Sequence, residues 1–224
     1  MIELLICTRC KASLSCEAKQ RDESGDIFEG ILFCQKCNQQ YPITNGIPRF
    51  VKTENYASSF GYQWQIFRKE QLDSHNGTSI SAERFWSETN WTRDELTGKW
   101  ILDVGCGVGR FLDVISKSKA EVAGVDISSA IDAAKANLED RDNVHFVQAS
   151  IYDLRFREET FDFCYCIGII QYTPDPPKAL SLVAKTMKKE GKIAVTTYER
   201  KPWTKLYSKY WLRPITKRIK KKSF

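Results

Sequence analysis

The sequence predicts an α/β fold: a doubly wound, mostly parallel sheet of about five strands, with a small separate module ahead of it. Three observations carry this reading. Five short apolar runs alternate with helix-patterned segments between residues 99 and 199. The first run ends in glycines at alternate positions, Gly105, Gly107 and Gly109. Two C-x-x-C pairs, Cys7/Cys10 and Cys34/Cys37, sit in the first 54 residues, apart from the apolar runs.

The N-terminal module, residues 1–54, comes first. Tetrahedral zinc takes four thiolates, and two C-x-x-C knuckles present them in pairs. The 23 residues between Cys10 and Cys34 form a hairpin loop, with Gly25 and Gly30 as turn points. Large apolar residues are few, so a metal would supply folding energy that so small a core lacks. Cys7, Cys10, Cys34 and Cys37 are the expected ligands, and Cys16 is a spare thiol. A redox C-x-x-C or a set of unconnected thiols is the alternative. The N-terminus has no charged segment followed by an apolar one, so it does not read as a secretory signal. Cysteine pairs without such a signal suit a reducing, cytoplasmic setting.

Residues 55–98 are aromatic and polar and read as a helical cap and linker. From 99 to 199, strands are expected at 100–104, 121–125, 144–148, 161–167 and 192–198. Their nearly continuous apolar runs suit a sheet covered on both faces. Ser128-Ser129 precede a helix from Ala130 to Leu138. Pro176-Pro177 precede a second from Lys178 to Lys188, which Glu190-Gly191 stops. Alternating units of this length imply right-handed crossovers.

Residues 200–224 hold ten Lys or Arg and no acid. The other 199 residues hold 24 basic and 28 acidic side chains, a net of −4, so the tail carries the whole excess of the +6 total. Trp203, Leu206, Tyr207, Tyr210 and Trp211 recur at helical spacing before Pro214, and Lys217 to Lys222 follow. That pattern suits peripheral contact with an anionic membrane through residues 203–222, at the inner face. Nothing else supports nucleic acid as a partner, and none is expected. No run of 18 apolar residues exists to cross a bilayer.

Strand, glycine turn, helix, strand and terminal acid together describe a nucleotide-binding crevice. A dinucleotide fingerprint needs a glycine where Arg110 stands, so a nicotinamide oxidoreductase is disfavoured. The ligand instead carries a ribose and no phosphate at this turn, with Asp126 placed to take both ribose hydroxyls.

The run Leu102-Asp103-Val104-Gly105-Cys106-Gly107-Val108-Gly109-Arg110-Phe111, with Asp126 beyond it, closely resembles the first motif of class I, type 11-like, S-adenosylmethionine-dependent methyltransferases. The resemblance implies a Rossmann-like methyltransferase sheet with S-adenosylmethionine as cofactor. It assigns Gly105, Cys106, Gly107 and Gly109 to the turn beneath the methionine moiety. It gives Asp103 the cofactor's amino group and Asp126 its ribose, and it lays Ile127 against the adenine. Ser150 stands where relatives often have an Asp that accepts from the adenine amino group, and Ile151 packs on the ring. Ile167, at the end of the fourth strand, borders cofactor and acceptor. Gln171 and Tyr172 stand where relatives often carry His. No general base is identified, and these two are the positional candidates. His75 reads as exposed, and His145 as a core or edge residue.

Residues 41–50, Tyr-Pro-Ile-Thr-Asn-Gly-Ile-Pro-Arg-Phe, look like the close of the zinc ribbon that serves elsewhere as the activator subunit of RNA and protein methyltransferases. This implies a structural zinc, since a closed four-cysteine site leaves no position for chemistry. Ser59 to Trp64 resembles the cap of the same fused family. It implies that Tyr62 and Trp64 close over the sulfonium, an aromatic face favouring a cation, or else pack between the two domains. Family sheets have seven strands. Five are counted here, so the chain reads as C-terminally truncated, with its fifth strand partly unprotected. The function expected is methyl transfer to a small-molecule, lipid-linked or carrier-linked acceptor. The alternative is a degenerate module that binds the cofactor without turnover and acts through its ribbon or tail.

Overall fold

The computed structural model describes residues 1–51 and 69–198. Tyr62, Trp64 and the basic tail fall outside the described residues.

The N-terminal module is a four-stranded antiparallel sheet in chain order. Its strands are β1 (Ser15–Arg21), β2 (Ile27–Phe33), β3 (Gln40–Thr44) and β4 (Ile47–Pro48). The β1–β2 turn is built on Asp22, whose Oδ1 accepts the N–H groups of Ser24 and Asp26 at 3.1 and 2.9 Å. Gly25 closes this turn at φ +87°. Gly30 is not the turn point expected of it. It lies within β2 opposite Ala18, where a Cβ would stand 2.7 Å from the Glu17 carbonyl. A missing side chain there permits a close strand-to-strand approach.

Three helices follow: α1 (Asp73–Asn76), α2 (Ile80–Thr89) and α3 (Arg93–Leu96). The start of α2 is satisfied by a carboxylate from α1. Asp73 accepts from Ser81 N at 3.0 Å, Ala82 N at 2.8 Å and Thr78 Oγ1 at 3.0 Å. Burial pushes this carboxyl up, but those bonds more than offset it and leave its pKa below the usual value. A depressed carboxylate stabilises the fold above its unfolded pKa of about 3.9, and the contribution fades as pH falls through the lower folded value. Asp73→Ala should therefore cost about 1–3 kcal/mol at pH 7, because two helix N–H groups lose their acceptor. Thermal melts of both proteins from pH 7 down to pH 3 test this. A Tm gap that fails to narrow below pH 4 contradicts the assignment.

The second sheet is parallel, in the order β7-β6-β5-β8-β9. Its strands and intervening helices are β5 (Trp100–Val104), α4 (Arg110–Ile115), β6 (Glu121–Asp126), α5 (Ala130–Asn137), β7 (Val144–Gln148), β8 (Phe161–Ile167), α6 (Pro176–Lys185) and β9 (Met187–Thr196). The first four strands, β5 to β8, match expectation to within a residue. The fifth does not. The helix before it ends at Lys185, and β9 begins at Met187, five residues before the expected start. Phe161 pairs with Met187 but Phe163 pairs with Lys192, so residues 188–191 bulge out of register. A bulge absorbs polar residues that a regular strand cannot face inward. Helix α6 starts cleanly because Asp175 Oδ1 accepts Lys178 N at 3.1 Å and Pro176 occupies its first turn.

Alternation along the strands divides the core. Leu102, Val104, Val125 and Val147 pack with Ala179 and Val183 of α6 on one face. Ile101, Val122, Phe163 and Tyr165 pack with Phe85, Leu96, Leu112 and Ile131 on the other. Phe85 is fully buried, with Trp86, Trp91, Phe111 and Tyr165 all within 6.0 Å of its ring centre, and it ties α2 to the sheet. The first core runs on into the N-terminal module through Leu5, Leu32, Tyr41 and Ile43.

That module also covers the β7 edge. Arg49 bridges to Gln148 in parallel sense, and Phe50 N donates to Gln148 O at 2.9 Å. The Arg49 guanidinium forks onto Asp132 at 2.5 and 3.1 Å and reaches Gln148 Oε1 at 3.1 Å. A second attachment runs through Ile6 N to Arg155 O and Arg157 N to Leu4 O, at 2.7 and 3.0 Å. The carboxyl end of an edge that would otherwise offer free backbone groups is thereby paired at Gln148. At the opposite edge, β9 pairs with β8 alone among the described residues. No helix among them is long and apolar enough to cross a membrane.

Candidate functional site

The carboxyl ends of β5, β6 and β8 open into one cavity of about 540 Å³. That volume lies within the ~300–1,000 Å³ usual for small-molecule sites. Of the residues singled out from sequence, Asp103, Gly105, Cys106, Gly107, Asp126, Ile127, Ile167 and Tyr172 line it.

The glycine turn does three separate jobs. Gly107, at φ +55°, has open space where a side chain would project, so main chain is presented to the cavity. A Cβ on Gly105 would stand 2.8 Å from Ile169, and one on Gly109 would stand 3.0 Å from Leu138 of the α5 end. Gly109 thus serves helix packing and is not part of the cavity wall.

Asp126 holds the turn. Its Oδ2 accepts Gly107 N at 3.0 Å, and its Oδ1 accepts Ser128 N and Ser128 Oγ at 2.8 and 2.7 Å. Oδ2 keeps acceptor capacity toward the cavity. Burial raises its pKa against the pull of these bonds. Asp103 is 3 % exposed and accepts the Tyr165 phenol at 2.9 Å. Burial pushes the Asp103 carboxyl well up, the Tyr165 bond opposes that, and nearby Asp126 adds to it. Tyr165 is itself held protonated by burial and by Asp103. Two acids so placed suit a ligand with a cationic amine and vicinal hydroxyls.

Besides Gly109, three expected residues lie elsewhere. Ser150 and Ile151 are not on the cavity wall, because a 3-10 turn over Ile151–Asp153 redirects the chain. Ser150 Oγ caps that turn by accepting Tyr152 N at 3.2 Å, and Ile151 sinks into the core shared with Ile170 and Ala179. Gln171 is tied back by its Nε2 donating to Gly168 O at 2.7 Å. Tyr172, by contrast, is 68 % exposed at the cavity mouth. His145 bonds Glu121 at 2.8 Å and stacks on Trp100, so it is a strand-edge residue. The cavity also takes Arg84, Arg110, Phe111 and Tyr198, which the sequence reading did not assign to a site. Arg110 was legible beside the turn, whereas Arg84 and Tyr198 arrive from distant elements.

The four N-terminal cysteines come together. The sulfurs of Cys7, Cys10, Cys34 and Cys37 all lie within 4.8 Å of one another, and Cys16 stays apart. Burial pushes the Cys7 thiol up, but the Tyr41 hydroxyl and the N–H groups of Cys10 and Arg9 bring it down to about 6. A Gln39 N–H bond pulls the Cys37 thiol down, but burial and the crowding of Cys7, Cys10 and Cys34 carry it to about 12. Four thiolates cannot share this space without a cation. A second observation fits one. Arg155 is 4 % exposed, pairs with Asp153, and leaves Nε and Nη1 without partners. Burial lowers its pKa to about 10, against the pull of Tyr41 and Cys7. A buried guanidinium near Cys7 suits the net negative charge of a tetrathiolate metal site.

Residues 102–195 match a family of methyltransferase domains. A ubiquinone biosynthesis O-methyltransferase of Coxiella burnetii is 35 % identical over 115 residues, covering 50 % of this chain and 49 % of that protein. Its counterpart in Alkalilimnicola ehrlichii is 33 % identical over 116 residues, covering 50 % and 47 %. The chain thus spans about half the length of the curated relatives it matches. Among solved structures, a Haemonchus contortus phosphoethanolamine N-methyltransferase bound to S-adenosylhomocysteine superimposes with TM-score 0.55 and 20 % identity, over 82 % of this chain and 46 % of that one. A candidate S-adenosylmethionine-dependent methyltransferase of Methanococcus maripaludis gives 0.53 and 18 %, over 77 % and 80 %. The parallel sheet therefore has the Rossmann-like fold of S-adenosylmethionine-dependent methyltransferases, and residues 102–195 within it match their domain family.

Proposed function

We propose that the chain is an S-adenosylmethionine-dependent methyltransferase acting on a small-molecule, lipid-linked or carrier-linked acceptor, and that a structural zinc holds its N-terminal module. The observation that carries the first part is the open face of Gly107, flanked by Asp103 and Asp126 in one cavity. When bound, S-adenosylmethionine supplies the methyl group as a sulfonium electrophile. Asp126 holds the ribose hydroxyls, Ile127 and Ile167 give apolar walls, and Asp103 takes the ammonium of the methionine moiety. Tyr172 stands at the acceptor's entrance and helps exclude water. Holding donor and acceptor in line accounts for most of the rate enhancement asked of the protein.

The raised pKa of Asp103 supplies a test. The free protein retains this proton to higher pH than an ordinary carboxyl does. An ammonium placed beside it favours the carboxylate, so the proton must leave on binding. Calorimetric titration with S-adenosylhomocysteine, in buffers of differing ionisation enthalpy, should show proton release and an affinity that strengthens as pH rises through the Asp103 pKa. Asp103→Asn should abolish the proton release. The methyltransferase reading is abandoned if the zinc-loaded protein binds no S-adenosylhomocysteine.

A further inference from the structure

The cofactor accounts for the acids at the strand ends and leaves a cationic wall unused. Arg84, on α2, and Arg110, at the start of α4, both line the cavity. They flank one ring, with guanidinium carbons 5.6 and 5.2 Å from the Phe111 centroid. Arg110 Nε bonds Ser81 Oγ at 2.9 Å, a neutral acceptor, and no carboxylate among the described residues forms an ion pair with it. Ser81 is 2 % exposed and donates onward to Gln71 O, so Arg110 is rigidly seated. Arg84 is fixed differently. Its Nε bonds Glu88 at 2.8 Å, and Glu88 is held from its far side by Thr196 Oγ1 at 2.9 Å. Tyr198 flanks Arg84, its ring centre 6.0 Å from the guanidinium carbon, at the open end of the cavity.

Burial, and then Arg84 itself, hold the Arg110 guanidinium below its ordinary pKa. Glu88 pairs with Arg84 through Nε alone and offsets part of this repulsion, and two guanidiniums against one ring leave charge for a further anion beside them. The methionine moiety brings one carboxylate. Arg110 follows the glycine turn directly, a position suited to that carboxylate. Arg84 sits on a separate helix, beside the exposed Tyr198. We propose that Arg84 is an acceptor subsite for an oxyanion: the methyl acceptor carries a carboxylate or phosphate group, which Arg84 binds while Arg110 takes the carboxylate of the cofactor. The planar fork of arginine matches both groups. This inference rests on the methyltransferase reading above.

The test is calorimetry on the zinc-loaded protein saturated with S-adenosylhomocysteine, titrated with benzoate, phenyl phosphate and neutral benzamide. Either anion should bind at least about tenfold tighter than benzamide, as a charge-assisted fork allows. The stronger of the two tells carboxylate from phosphate. Arg84→Gln should erase the preference and leave S-adenosylhomocysteine affinity within about threefold, whereas Arg110→Gln should weaken that affinity about tenfold. Arg84→Lys, which keeps the charge, should retain part of the preference and so controls for folding. Equal binding of benzoate, phenyl phosphate and benzamide overturns the subsite. So does an Arg84→Gln variant that loses S-adenosylhomocysteine as severely as Arg110→Gln, since Arg84 then belongs to the cofactor. Absence of S-adenosylhomocysteine binding removes the methyltransferase reading and the subsite together, while binding without anion preference removes the subsite alone.

Discussion

Asp126→Ala should weaken S-adenosylhomocysteine binding by about 100-fold or more. Two ribose hydroxyls donating to a carboxylate are each worth about 1.5–3 kcal/mol, and some 3 kcal/mol corresponds to more than 100-fold in Kd. The same substitution frees Gly107 N and Ser128 from their acceptor, so the turn loses its tether as well. Asp126→Asn separates the two effects. It keeps one acceptor oxygen for the turn and loses the charge, and it should bind about tenfold more weakly than the natural protein while melting within a few degrees of it. Calorimetry and thermal melts on both variants decide the matter. An Asp126→Ala protein that melts normally and keeps its affinity within threefold would show that the ribose lies elsewhere.

How far this site was legible follows from how local its chemistry is. The glycine turn and Asp126 could be read because each sits at the end of an apolar run, and the parallel pairing of β5 with β6 brings the two ends side by side. The cysteine pairs were legible for a similar reason: their spacing is itself the geometry. Ser150 and Ile151 were assigned by position relative to β7, and a side-chain cap on a three-residue turn was enough to redirect them. Arg84 was not assigned because its place depends on Phe85 packing against Tyr165 across the molecule, which no local pattern announces. The start of β9 was missed because Lys188-Lys189-Glu190-Gly191 reads as a helix ending, and only its register against Phe161 and Phe163 marks it as a bulge.

Removing the zinc proposed for the N-terminal module should have the largest effect on stability. Binding of zinc to such sites is worth ~10–16 kcal/mol in isolated peptides, most of it folding free energy. Without it, the thiols of Cys7, Cys10, Cys34 and Cys37 are crowded within 4.8 Å beside a buried Arg155 that keeps Asp153 as its ion-pair partner and loses the negative charge of the thiolates. The loss should not stay in the module, because Leu5, Leu32, Tyr41 and Ile43 belong to the same apolar core as Leu102 and Val125. The backbone bridge from Arg49 to Gln148 should open too, uncovering β7. The purified protein should therefore contain about one zinc per chain. Chelation, or Cys34→Ser, should lower Tm by at least about 10 °C, since each 1 kcal/mol moves a domain of this size by ~2–4 °C. Hydrogen exchange locates the damage: amides of residues 49–50 and 144–148 should lose protection together with those of β2 and β3. Arg155→Gln should weaken zinc retention against a competing chelator while leaving the four thiols in place. A zinc-free protein with unchanged exchange at 144–148 would mean that the metal site and the β7 edge are independent, and that the module needs no cation to hold its place against the sheet.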